Sequence, residues 1–139
     1  MKKAVIIYRS RKGTTGKYGR EIAEYLKTKE INVSIASTED FRKEMLEGTD
    51  YLLTGCWTAG LFVILQHPDN EWKKFAASLP EAKTLKTAFF TTYKFLTGSM
   101  FDKMSKEIED RLSAPSLTLK SRNGSLSEED KKSLDGFIS

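Results

Sequence analysis

KAVIIYRSRKGTTGKYGREIAEYL, residues 3–26, decides the fold. Lys3 to Tyr8 is an apolar run with β-branched residues in its middle, which predicts a strand buried on both faces. A polar, glycine-containing turn, Arg9 to Gly16, follows it. Tyr18, Ile22, Tyr25 and Leu26 then recur at helical spacing opposite Lys17, Arg20, Glu24 and Lys27, which predicts an amphipathic helix. A doubly buried strand running through a short turn into such a helix begins a βαβ unit, and those units build parallel sheets.

The same alternation continues along the chain. Ile31 to Ala36 predicts a second strand with Val33 and Ile35 inward. Ser37-Thr-Glu-Asp40 resembles a capping box for a short helix through Phe41 and Leu46, stopped at Gly48. Tyr51 to Gly55 reads as a third strand, with a long loop after it. Pro68-Asp-Asn70 opens a helix carrying Trp72, Phe75, Ala76 and Leu79, ended by Pro80. Thr87 to Thr92 is a fourth strand, and Met100, Phe101, Met104, Ile108 and Leu112 form the stripe of the next helix. Ser116 to Lys120 is the fifth strand. Asn123-Gly124 turns the chain, and Ser127-Glu-Glu-Asp130 caps a final helix with Leu134, Phe137 and Ile138. The expectation is an α/β three-layer sandwich, a five-stranded parallel sheet in order 2-1-3-4-5 with helices on both faces.

A length of 139 residues suits a single domain spanning 1–139. One cysteine, Cys56, excludes an intramolecular disulfide, and a lone His67 gives no basis for a Cys/His metal cluster. The apolar run Leu61 to Leu65 is far shorter than the roughly 20 residues of a membrane span. Met1 to Tyr8 lacks the pattern of a signal peptide, so the cytoplasm is the expected compartment. The balance of 23 basic against 19 acidic residues gives a net charge of +4, compatible with an anionic partner such as a phosphate ligand or nucleic acid, but the charges are spread along helix-like stretches as on a solvated face and decide nothing alone. No nucleic-acid motif accompanies it.

In a sheet of this order, ligands sit outside the carboxyl ends of strands one, three and four. After strand one, Ser10, Arg11, Lys12, Gly13, Thr14 and Thr15 precede a helix whose first amides lack intrahelical acceptors. Hydroxyls, cations and a glycine there suit a phosphate. The order is wrong for a P-loop, and GxGxxG is absent. After strand three, Cys56-Trp57-Thr58-Ala59-Gly60 places a tryptophan among small residues, where it can stack on a flat ring. After strand four, Thr91-Thr92-Tyr93-Lys94-Phe95 again sets hydroxyls beside aromatics. Phosphate donors in one loop and aromatics in two others describe a mononucleotide with a planar ring.

These residues resemble flavodoxins of the short-chain type. Ser10-x-x-Gly13-x-Thr15 looks like the family's phosphate loop. Trp57 looks like its inner flavin-stacking tryptophan, and Tyr93 or Phe95 stands where its outer ring often lies. Lys12 and Thr14 replace residues usual in that loop, the acidic residues common after strand four are missing, and the chain is basic where flavodoxins are acidic. The resemblance implies an FMN-binding monomer that passes electrons between redox partner proteins. Ser10 to Thr15 would hold the phosphate, with Trp57 and Tyr93 on the ring. A backbone turn at Thr58-Ala59-Gly60 would answer the flavin's redox state. Lys94 would make the potential less negative than in an acidic relative.

Two other readings are an FMN-dependent NAD(P)H or quinone reductase and a flavodoxin-like module without flavin. A phosphoacceptor receiver domain is excluded, because its acidic positions hold Arg9, Ser10, Thr54 and Gly55. Cys56, Met100 and Met104 read as core, His67 as a loop residue, and Leu61 to Leu65 as a segment packing back on the sheet.

Overall fold

The strand predicted at the start forms as β1 (Lys3–Arg9), one residue longer than its apolar run. The computed structural model describes residues 1–61, 64–94 and 97–139. Gly13, in a left-handed conformation with φ of +89°, ends the turn and starts α1 (Thr14–Lys27). Then come β2 (Asn32–Ser37), a single 3-10 turn (Lys43–Leu46), β3 (Tyr51–Leu61) and β4 (Ile64–Pro68). The remaining elements are α2 (Asn70–Ala77), β5 (Lys86–Thr92), α3 (Met100–Ile108), β6 (Leu117–Ser121) and α4 (Glu128–Ile138).

Five strands lie parallel in the order β2-β1-β3-β5-β6, which is the 2-1-3-4-5 arrangement expected from the alternation. Register follows burial. Val5, Ile7, Leu52 and Phe89 point to one face, where Trp72, Phe75, Met100, Met104 and Ile108 of α2 and α3 cover them. Ala4, Ile6, Leu53 and Phe90 point to the other, under Tyr18, Ile22 and Leu26 of α1 and Leu134 and Phe137 of α4. Trp72 is fully buried, edge-on to Phe89, and its Nε1 donates to Thr54 Oγ1 at 2.8 Å. A large buried ring thus keeps its one polar group satisfied.

Two local expectations are corrected. Ser37 and Asp40 do exchange hydrogen bonds, yet they close a turn, and only the 3-10 segment forms beyond it. The long loop after strand three is instead a hairpin, since β3 continues to Leu61 and β4 returns antiparallel to it, pairing Thr58 with Pro68 and Ala59 with His67. His67 is therefore a strand residue, its Nδ1 lying 2.9 Å from Pro68 O. The caps of α2 and α4 form as expected, Asp69 accepting from the Glu71 amide and Ser127 closing a full capping box with Asp130.

Gly55 of β3 sits directly against Phe90 of β5. A Cβ there would lie 2.3 Å from Phe90 O and 2.4 Å from the Phe90 ring. Because β5 cannot retreat without breaking its ladder with β6, Gly55→Ala should lower stability by about 2 kcal/mol or more, in the range of overpacked cores. Urea denaturation checks this, and an unchanged midpoint would show that the two strands are not held that close.

Candidate functional site

The carboxyl ends of β1, β3 and β5 meet at one edge of the sheet, and the loops there carry the polar residues singled out by sequence. Ser10, Arg11 and Lys12 form the loop after β1. Gly13 has no side chain to cap the helix, and the first turn of α1 holds no acid. The leading amides and positive dipole end of α1 are left open to an anion. Ser10 Oγ is buried without a hydrogen-bond partner among the described residues, as is Thr38 Oγ1 just past β2. A buried hydroxyl costs free energy unless something pairs with it, so Ser10 has capacity for a ligand. Arg11 and Lys12 are exposed beside it.

Trp57 was expected in a loop and lies instead within β3, half-buried. Its orientation comes from the hairpin. Trp57 Nε1 donates to Asp69 Oδ2 at 2.9 Å, and Arg11 sits over the indole with its guanidinium carbon 5.1 Å from the ring centroid. Asp69 Oδ1 also accepts from the Glu71 amide at 2.7 Å and from Arg9 Nε at 3.2 Å. Arg9 reaches Glu39 at 2.8 Å as well. One carboxylate, its side chain only 12% exposed, thus ties β1, β3 and the start of α2 to the indole.

The threonines form a second bracket. Thr15 and Thr92 hydroxyls are 2.6 Å apart and buried, joining α1 to β5. Thr91 Oγ1 donates to Cys56 O at 2.6 Å and lies 2.8 Å from Thr58 Oγ1. Cys56 is fully buried, and burial raises its thiol well above the ordinary range. The side chains of Thr15, Cys56, Thr91 and Thr92 therefore build the floor of the edge. Thr14 is half-buried and Gly13 exposed. Thr58, Ala59 and Gly60 lie in β3, with a register shift between Ala59 and Leu61. Tyr93, half-buried, has Arg122 at 5.2 Å and Lys120 at 5.8 Å from its ring centroid, and Lys94 is exposed. Phe95, and Phe62-Val63 within the apolar run, lie outside the described residues.

Sequence reading took Asp69 as a helix cap alone. Its role as the hub was hidden because the hairpin that brings Asp69 back to Trp57 carries no glycine-rich turn signal.

No family model matches the sequence, and no curated protein matches it. Solved structures do. The two-electron reduced flavodoxin of Megasphaera elsdenii superposes with a TM-score of 0.76 at 21% identity, covering 96% of this chain and 97% of that one. This chain has the flavodoxin fold. Flavodoxin 1 of Bacillus cereus gives a TM-score of 0.70 at 22% identity, over 98% of this chain and 95% of that one. The rubredoxin oxygen:oxidoreductase of Desulfovibrio gigas gives 0.67 at 14% identity, with 97% of this chain matching 34% of that longer protein. The likeness therefore extends over nearly the whole flavodoxin-like sheet.

Removing the charge from the hub should be felt. Asp69→Asn should cost about 1–3 kcal/mol in urea unfolding, because a partly buried Arg9 loses its counter-charge and only one acceptor oxygen remains for Arg9, the Glu71 amide and the indole. An unchanged midpoint would mean the three hydrogen bonds contribute nothing net. For Cys56, the folded thiol stays protonated while an unfolded thiol ionises near about pH 8.5. Stability is thus unaffected below that pH and falls above it. Between neutral and alkaline pH, the wild type should lose more stability than Cys56→Ala, and iodoacetamide should label Cys56 only as the chain unfolds.

Proposed function

We propose that the chain binds FMN at the carboxyl edge of its sheet and carries electrons between redox partner proteins. The observation that carries this is Ser10, a buried hydroxyl without a partner among the described residues, set beside the uncapped start of α1. Ser10 Oγ and the leading amides of α1 hold the phosphate, and Arg11 and Lys12 add positive potential. Trp57 and Tyr93 supply flat apolar surface for the isoalloxazine. Asp69 holds the Trp57 plane, and Thr15 with Thr92 fixes the phosphate loop to the sheet. Thr91 and Thr58 stiffen the strand end that carries Trp57. The bound flavin supplies the electron chemistry, and no side chain need act as acid, base or nucleophile.

The seven-residue strands β1 and β5, buried through their middles, support the edge, which suits a site whose groups are held in place before the ligand arrives. The flavodoxin fold of the neighbours is in keeping with this reading. One observation favours a module without flavin, namely that Arg11 covers a face of Trp57. The same experiment separates the two.

Titration of the protein with FMN should shift the flavin's visible spectrum and quench its fluorescence, with riboflavin, which lacks the phosphate, binding more weakly. Ser10→Ala should weaken FMN about tenfold or more, as expected for a hydrogen bond to a charged group, and leave riboflavin unchanged. A protein that ignores both flavins is the interaction module. Sustained NAD(P)H turnover with a quinone would make it a reductase instead.

A further inference from the structure

Trp57 and Arg11 touch, yet they are held very differently. The indole is fixed, because its Nε1 donates to Asp69 Oδ2 at 2.9 Å, and Asp69 is itself pinned by Arg9 and the Glu71 amide. Arg11 is exposed on the loop after β1, and its guanidinium carbon lies 5.1 Å from the indole centroid. Nothing reinforces that contact. No hydrogen bond or ion pair holds the Arg11 guanidinium among the described residues, whereas Arg9 is bound to both Asp69 and Glu39. The acid that fixes the indole has no place for Arg11, since both Asp69 oxygens already accept. A cation lying over an aromatic face at an exposed site is weakly held, and an anion in reach draws it away. One residue back along the chain is a place for such an anion. Ser10 Oγ is buried without a partner among the described residues, beside the uncapped start of α1.

We infer that Arg11 is a specificity residue: it shields a face of Trp57 from flat rings and is drawn off it by phosphate, so the site favours a phosphorylated flavin over a bare one. The inference rests on the flavin reading for what stacks on Trp57, but not for the movement of Arg11. Arg11 reaches the indole from the loop after β1, so the face it covers looks onto the carboxyl edge. A guanidinium and a flat ring cannot share one indole face, and a ring that stacks there must displace Arg11. With the indole fixed by Asp69, the arginine is the part that moves. A ligand without phosphate displaces it with nothing in return, which lowers affinity about two- to fivefold for an exposed cation–π pair. A ligand with phosphate offers the guanidinium two oxygens in the fork geometry it fits, a charge-assisted contact stronger than the one it leaves. The group that anchors the ligand then also uncovers the ring's seat. Lysine would do this less well, because an ammonium neither stacks on an indole as a plane nor grips two phosphate oxygens at once.

The test titrates the wild type and Arg11→Ala with FMN, riboflavin and inorganic phosphate. Arg11→Ala should bind riboflavin about two- to fivefold more tightly, because the indole face is already clear. Its preference for FMN over riboflavin should fall about tenfold or more, since that ratio cancels the clearing of the face and leaves the lost phosphate contact. An arginine that only adds positive potential would lower the preference and leave riboflavin unchanged. Riboflavin binding that is unchanged or weaker in the variant therefore overturns the inference. Phosphate alone gives a reading free of flavin. Against chloride at equal ionic strength, it should increase acrylamide quenching of Trp57 in the wild type. Arg11→Ala should be quenched more from the start and should not respond, while Trp72, fully buried, adds a constant background to both. No phosphate response in the wild type, or an equal one in the variant, would overturn the shield. If neither protein binds flavin, the electron-carrier reading falls, and the phosphate response alone decides whether Arg11 leaves the indole.

Discussion

A sheet covered on both faces has one place left for recognition. Between α2 and α3 on one side and α1 and α4 on the other, the strands bury Val5, Ile6, Ile7, Leu52, Leu53, Phe89 and Phe90 completely. Their backbone groups are committed to the ladder, because a buried amide without a partner costs more than any one contact returns. Only where the strands end can the chain turn polar groups outward. The hydroxyls, cations and aromatics of residues 10–15, 57 and 91–94 gather at the carboxyl edge for that reason, and the helices that follow the strands aim their amino ends at it.

Asp69 shows how the edge is kept in shape. Its carboxylate accepts from a helix amide, an arginine and an indole at once, so each partner fixes the position of the others. A charge held by three donors inside a half-buried site is costly to move, whereas a lone surface pair such as Lys74–Glu71 contributes little. The threonine pairs do the same with neutral groups. Thr15 and Thr92 are too buried to rearrange freely, and their mutual hydrogen bond leaves the loop before α1 little room to drift. What remains adjustable lies outside this frame, in the exposed chains of Arg11, Lys12 and Lys94.

Much of this was legible from residue order. Doubly buried strands such as Lys3 to Tyr8 and Thr87 to Thr92 have continuous apolar middles, and helix stripes such as Met100, Met104 and Ile108 recur at the period that places them inward. The parallel order then follows from right-handed crossovers. The hairpin of β3 and β4 was not legible, since its residues up to Leu61 and from Ile64 read as one apolar stretch without a two-residue glycine turn. Missing that hairpin carried Trp57 into a loop and left Asp69 as a simple cap. The turn into α1 was placed correctly in the chain because glycine at a left-handed position before a helix is a local signal. Which of its hydroxyls face outward was not a local matter. Thr15 turns inward to Thr92, 77 residues away, while Ser10 is left without a partner among the described residues.

The cations of the loop after β1 and the uncapped amino end of α1 act at the same place. Placing a helix amino end, an uncharged buried hydroxyl and several exposed lysines together would destabilise the folded chain if nothing negative came near, because the dipole and the side chains act in the same sense. The first turn of α1 holds no acid, whereas those of α3 and α4 carry Asp102 and Glu128, Glu129 and Asp130. The indole and the tyrosine ring stand between the two centres of charge, with Arg11 on one and Arg122 on the other. An anionic group seated at α1 would withdraw part of the field around Trp57 and leave that around Tyr93.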